Sequence, residues 1–90
     1  SPQTLTRAAR DFAAKRPDFA IEAGVAALHW IAQGYGYETT STDVRAAYAH
    51  AMTAAENAGR ADETRRRIRE VIRGGAAAEF VTRSLAGRLD

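Results

Sequence analysis

Ninety residues, 46% of them apolar and 27% charged, suit one globular core, leave little room for a second, and exclude a disordered segment. The absence of cysteine excludes a disulfide framework and thiolate metal sites, so a cytoplasmic setting is the expectation. The net charge is +2, and its positive excess is confined to residues 60–73, which net +3 against −1 for the rest.

No signal peptide is expected, because Arg7, Arg10 and Asp11 interrupt any apolar N-terminal run. The longest apolar stretch, 19–32, is broken by Glu22 and His29 and is too weak to span a bilayer. The chain starts at Ser1 and its one methionine is Met52, so we expect a single helical domain over 1–90, excised from a longer protein. Alanine occurs 21 times; it favours helix, costs no side-chain entropy, and lets helices approach closely.

The first helix is expected to begin at the N-terminus, with Ser1 as cap and Pro2 at the first helical position. Leu5, Ala8, Ala9, Phe12 and Ala13 then form one apolar stripe. Pro17 stops this helix and opens the second, whose first turns carry Asp18 and Glu22 to complement the macrodipole. That second helix runs to about Gln33. Its polar residues Asp18, Glu22, His29 and Gln33 fall in one narrow stripe, while Phe19, Ile21, Val25, Leu28, Trp30 and Ile31 cover most of the remaining circumference. A helix so apolar belongs at the centre of a bundle.

Gly34 ends the second helix, and 34–41 is the longest irregular stretch. Thr40 or Ser41 caps a third helix carrying Val44, Ala47, Tyr48, Ala51, Met52 and Ala55, closed by Gly59. A fourth helix presents Ala61, Thr64, Ile68, Val71 and Ile72 on one face. A fifth, from about Ala76, offers Phe80, Val81, Leu85 and Leu89 for burial. No period-two alternation points to strands. The similarity of 8–15 to 76–83 is what two alanine-rich amphipathic helices share without being a repeat.

The expected fold is all-α: a compact antiparallel bundle of about five short helices, or stacked helical hairpins, with the second and third at the centre. In outline the helix pairs are similar to tetratricopeptide-type hairpins, apart from the long 34–37 connection; the likeness implies a fold and no function.

Two surfaces qualify as contact sites. One is the irregular segment with Tyr35 and Tyr37, together with Trp30 or Phe19 if the central helix is left uncovered; aromatics so placed are common at interfaces, and packing over alanine-rich helices is their structural alternative. The other is the fourth helix, whose Arg65, Arg66, Arg69 and Arg73 suit phosphate. Against that, Asp62 and Glu63 occupy the turn that a helix-turn-helix would push into the groove, and acid-first i,i+4 pairs Asp62–Arg66 and Glu63–Arg67 suit a self-paired solvent face.

His29 and His50 lack the further ligands a metal needs. The chain carries no Gly-x-Ser-x-Gly and no cysteine nucleophile. The expectation is therefore a non-catalytic interaction or assembly domain, without cofactor or metal. Its partner is another protein, a neighbouring domain of the parent chain or a second copy, with nucleic acid the alternative and no membrane.

Overall fold

Five α-helices follow one another in the computed structural model, which describes residues 1–35 and 38–89. They are α1 (Pro2–Phe12), α2 (Pro17–Ala32), α3 (Ser41–Asn57), α4 (Ala61–Ile72) and α5 (Ala78–Ser84). The expected boundaries of α2, α3 and α4 hold to within two residues, whereas α1 ends at Phe12, well before Pro17, and α5 starts at Ala78 rather than Ala76 and ends at Ser84, short of Leu85 and Leu89. Of the expected contact residues, Tyr37 lies outside the described ones.

The sequence signals at the helix ends act as local chemistry demands. The Ser1 hydroxyl accepts from the Thr4 amide. Pro17 holds Arg16 out of helical geometry, at φ −136° and ψ 66°, and so separates α1 from α2. Thr40 and Asp43 form a reciprocal capping box: the Asp43 amide donates to the Thr40 hydroxyl at 3.2 Å, and the Thr40 amide donates to the Asp43 carboxylate at 2.8 Å.

Helices α2 and α4 run parallel: Asp18 and Glu22 near the start of α2 meet Arg60, which caps α4, and Arg67 within it, while α3 and α2 cross near Gly24 and Ala51. The nearly all-apolar α2 touches each of the other four helices. Its Ile21, Val25, Leu28 and Ile31 meet Val44, Tyr48 and Met52 of α3, Ile68 and Ile72 of α4, and Val81 and Leu85 from the last helix and its cap in one core.

Alanine fills the remaining core positions, including Ala20, Ala27, Ala47, Ala51, Ala54 and Ala55, each fully buried. Small side chains let the helices approach closely, as the Gly24–Ala51 crossing shows. Phe12 departs from its expected place. It lies at the edge of the α1 stripe, beyond the arc that Ala9 and Ala13 turn to the core, and stays at the surface.

The ends of the bundle are tied by polar bonds. Asn57 donates to the Ala13 carbonyl at 2.8 Å, the Ala77 amide to the Ala32 carbonyl at 2.7 Å, and the Tyr48 hydroxyl to the Arg88 carbonyl at 2.6 Å. Among the described residues no helix is long and apolar enough to cross a membrane.

Candidate functional site

Among the described residues, the four large apolar side chains left exposed belong to one seam. Phe12 is 41% exposed, Phe19 46%, Trp30 43% and Tyr35 61%. On α2, Phe19 and Trp30 are separated by about three helical turns, which returns both to the same face roughly 16 Å apart. On α1, Leu5 and Phe12 are separated by about two turns and share a face in the same way. Since α1 runs antiparallel beside α2, Phe12 pairs with Phe19 at one end of the seam and Leu5 approaches Trp30 at the other.

At the first end the Phe12 and Phe19 rings meet edge to face, with centroids 5.3 Å apart. The corner at Pro17 makes this meeting possible, because Phe12 is the last residue of α1 and Phe19 lies in the first turn of α2. The Arg16 guanidinium sits 5.8 Å from the centre of the Phe19 ring, a cation–π arrangement.

At the second end Trp30 and Tyr35 meet edge to face at 5.2 Å. Their pairing follows from how α2 ends. Gly34 adopts φ +95°, the Gly34 amide donates to the Ile31 carbonyl, and the Tyr35 amide donates to the Trp30 carbonyl, each at 3.0 Å. This is a Schellman ending, in which the residue after the glycine packs against the residue five positions earlier. The glycine therefore sets Tyr35 against Trp30, and the two rings with Ser1, Pro2 and Leu5 line a shallow depression. His29 adds a further edge contact to Trp30 at 5.1 Å.

Between the two aromatic ends the seam is floored by small residues. Ala23 is buried and Ala8 and Ala26 are half-buried. The surface is thus a low alanine saddle between two aromatic rises.

The arginines of α4 are arranged otherwise. Arg67 makes two bonds to the Glu22 carboxylate, at 2.6 and 2.8 Å; that bond lowers the Glu22 pKa and raises that of Arg67. Arg60 binds Glu63 at 2.7 Å and Asp18 at 3.2 Å, and its bond to Glu63 lowers the pKa of that carboxyl. Arg65 donates to the Tyr48 hydroxyl at 3.4 Å and pairs with Asp62 at 3.1 Å. Arg69 donates to the Leu89 carbonyl.

The helix is self-paired as expected, but with other partners. Asp62 takes Arg65 rather than Arg66, and Glu63 takes Arg60 rather than Arg67, because α2 lies alongside and offers Glu22 to Arg67. Of the four candidate phosphate ligands, Arg65 and Arg69 are held in bonds within the molecule. Arg66 and Arg73 are exposed and make no ion pair among the described residues.

Of the aromatic candidates, the structure joins Trp30 to Tyr35. Phe19, expected with Trp30 to form a contact patch if α2 is left uncovered, is exposed. Phe12, expected on the buried stripe of α1, instead pairs with Phe19 at the surface. Among the described residues no group of three His, Asp or Glu is placed to hold a metal ion. The chain matches no protein-family model, no curated protein and no solved structure.

Proposed function

We propose that the chain is a non-catalytic interaction domain whose contact surface is the seam between α1 and α2. The observation that carries this reading is the alignment of four half-exposed aromatic side chains on one face, at a place where the core has no use for them. Half-covered rings of this size leave roughly 75–125 Å² each open to water, so the two aromatic pairs together expose about 400 Å², comparable to the largest apolar patch of a soluble domain, which is often functional. Aromatic side chains also suit the task, since they bring large contact area with few rotatable bonds and dominate interface energetics.

Exchanging Phe19 and Trp30 for glutamine separates contact from folding. The doubly substituted chain is expected to keep its helical circular dichroism, with a melting point lowered by less than about 10 °C, since each ring gives up only its partly covered half. In extract of the native cell it is expected to sediment more slowly than the wild-type chain. Equal sedimentation of the two folded chains would remove the basis for the reading.

Nucleic-acid binding through α4 is the alternative, and it has less behind it. It would draw on Arg66 and Arg73, since Arg65 and Arg69 already serve bonds inside the fold.

A further inference from the structure

Helix α4 and its two cap residues carry six arginines against three acids, Asp62, Glu63 and Glu70. Within the helix Arg65 and Arg66 stand four and three residues before Arg69, so each forms a like-charged neighbour pair with it that works against the helix. The nearby acids do not relieve this. Asp62 pairs with Arg65 at 3.1 Å, and Arg66 makes no ion pair among the described residues, although Asp62 and Glu70 lie four positions before and after it. Stability alone gives no reason to gather these arginines; a ligand of opposite charge does.

They also share a place. Arg65, Arg66 and Arg69 line, with Asp62, one shallow depression of about 270 Å³ on the surface of α4. Arg66 is exposed, and Arg65 and Arg69 are half-buried. Arg65 donates through Nε to the Tyr48 hydroxyl and through one Nη to Asp62, while one Nη of Arg69 donates to the Leu89 carbonyl. These bonds hold the guanidinium groups without exhausting them. Of the five N–H groups that an arginine carries, three remain on Arg65, four on Arg69 and all five on Arg66. Side chains already fixed lose less freedom when they bind.

From this placement we infer that the depression is a binding site for a phosphate monoester, a compact dianion whose three acceptor oxygens match the planar forks of several arginines. A nucleic-acid backbone fits less well. The free donors gather at one depression, and the exposed Asp62, Glu63 and Glu70 would repel an extended row of phosphates. Arg73, at the end of the helix and without an ion pair, adds attraction at longer range. The inference is independent of the α1–α2 seam. A free phosphate compound and a phosphorylated side chain present the same group, and the experiment separates them.

Nuclear magnetic resonance of the arginine Nε–Hε groups, at fixed ionic strength, reads the site directly. Inorganic phosphate is expected to move the signals of Arg65, Arg66 and Arg69 together, with a dissociation constant on the order of 1–10 mM, and to move that of Arg7, exposed on α1, far less. Dimethyl phosphate, a monoanionic diester, should bind at least about fivefold more weakly. Arg66→Gln removes the one arginine of the three that makes no bond within the fold, so the variant should keep its circular dichroism and bind phosphate about 3- to 10-fold more weakly. A short peptide with one phosphoserine is the third ligand. Binding about tenfold tighter than that of phosphate assigns the site to a phosphorylated protein, and binding no tighter assigns it to a free phosphate compound.

Signals that stay in place would overturn the inference, as would an Arg7 signal that moves as far as the three, dimethyl phosphate binding as well as phosphate, or undiminished binding by Arg66→Gln. Duplex DNA that moves the three signals where phosphate and the phosphopeptide do not would give the site to nucleic acid instead.

Discussion

Gly24 of α2 lies so close to Ala51 of α3 that a β-carbon on the glycine would stand 2.6 Å from the alanine β-carbon. That distance is well inside contact, and the obstructing atom is held by a helix backbone. Gly24→Ala would gain roughly 1 kcal/mol of helix propensity. It would also force the two central helices apart, at a cost of about 1–3 kcal/mol or more. Net destabilisation is expected, read as a lower urea midpoint with little change in slope; an unchanged or raised midpoint would show that the crossing has slack.

Gly34 tests how Tyr35 is held. Its φ of +95° costs any other residue about 1–2 kcal/mol, although no atom would obstruct a β-carbon there. Gly34→Ala is expected to destabilise by about that amount and to loosen Tyr35 from Trp30, so that Trp30 quenches more readily at low micromolar concentration. Loss of stability without a change in quenching would place the control of Tyr35 elsewhere.

The Glu22–Arg67 bridge makes a prediction about pH. The bond to Arg67 lowers the Glu22 pKa from its ordinary 4.5, so the folded state holds the carboxylate ionised more readily than the unfolded chain does. The resulting stabilisation is present in full above the ordinary value and disappears as pH falls through the lowered one. Both groups are partly exposed, at 58% and 33%, which limits the contribution to about 0.5–1 kcal/mol. Glu22→Gln should lose that amount at pH 7 and converge with wild type in urea titrations once the pH has fallen below the lowered carboxyl pKa.

Tyr48 joins the C-terminal segment to the bundle, donating to the Arg88 carbonyl at 2.6 Å and accepting from Arg65 at 3.4 Å. Tyr48→Phe keeps the ring in the core and removes both bonds. A loss of about 1 kcal/mol is expected, with faster amide exchange at Leu85 and Arg88, whose amides bond within this segment, than in α2.

Thr64 points the other way. Its hydroxyl is fully buried and makes no hydrogen bond among the described residues. Thr64→Val removes an unpaired polar atom while nearly preserving shape, and a gain of about 1 kcal/mol in thermal or urea unfolding is expected.

The helices and their ends were legible because their determinants are local. Pro17 breaks the chain wherever it is placed, Thr40 with Asp43 caps within one turn, and the periods of α2 and α3 show which faces are apolar. What stayed out of reach depends on which neighbour covers which arc. Phe12 and Ala9 belong to one apolar stripe, yet α2 and α3 cover only the arc holding Ala9 and leave Phe12 at the edge. The partners of the α4 arginines escaped for a similar reason: the acid that holds Arg67 is Glu22, distant in sequence and brought near only by parallel packing of α2 and α4. The Trp30–Tyr35 pair was within reach, since Gly34 announces a helix ending that sets these two positions in contact.

The most direct test of the seam as a contact surface is covalent capture in the native cell. A photoreactive phenylalanine analogue at Phe19 replaces one aromatic ring by another, and the same analogue at Thr82, exposed on α5, serves as control. Irradiation is expected to yield a protein adduct from position 19 and none from position 82. No adduct from position 19, or equal adducts from both, would contradict the account.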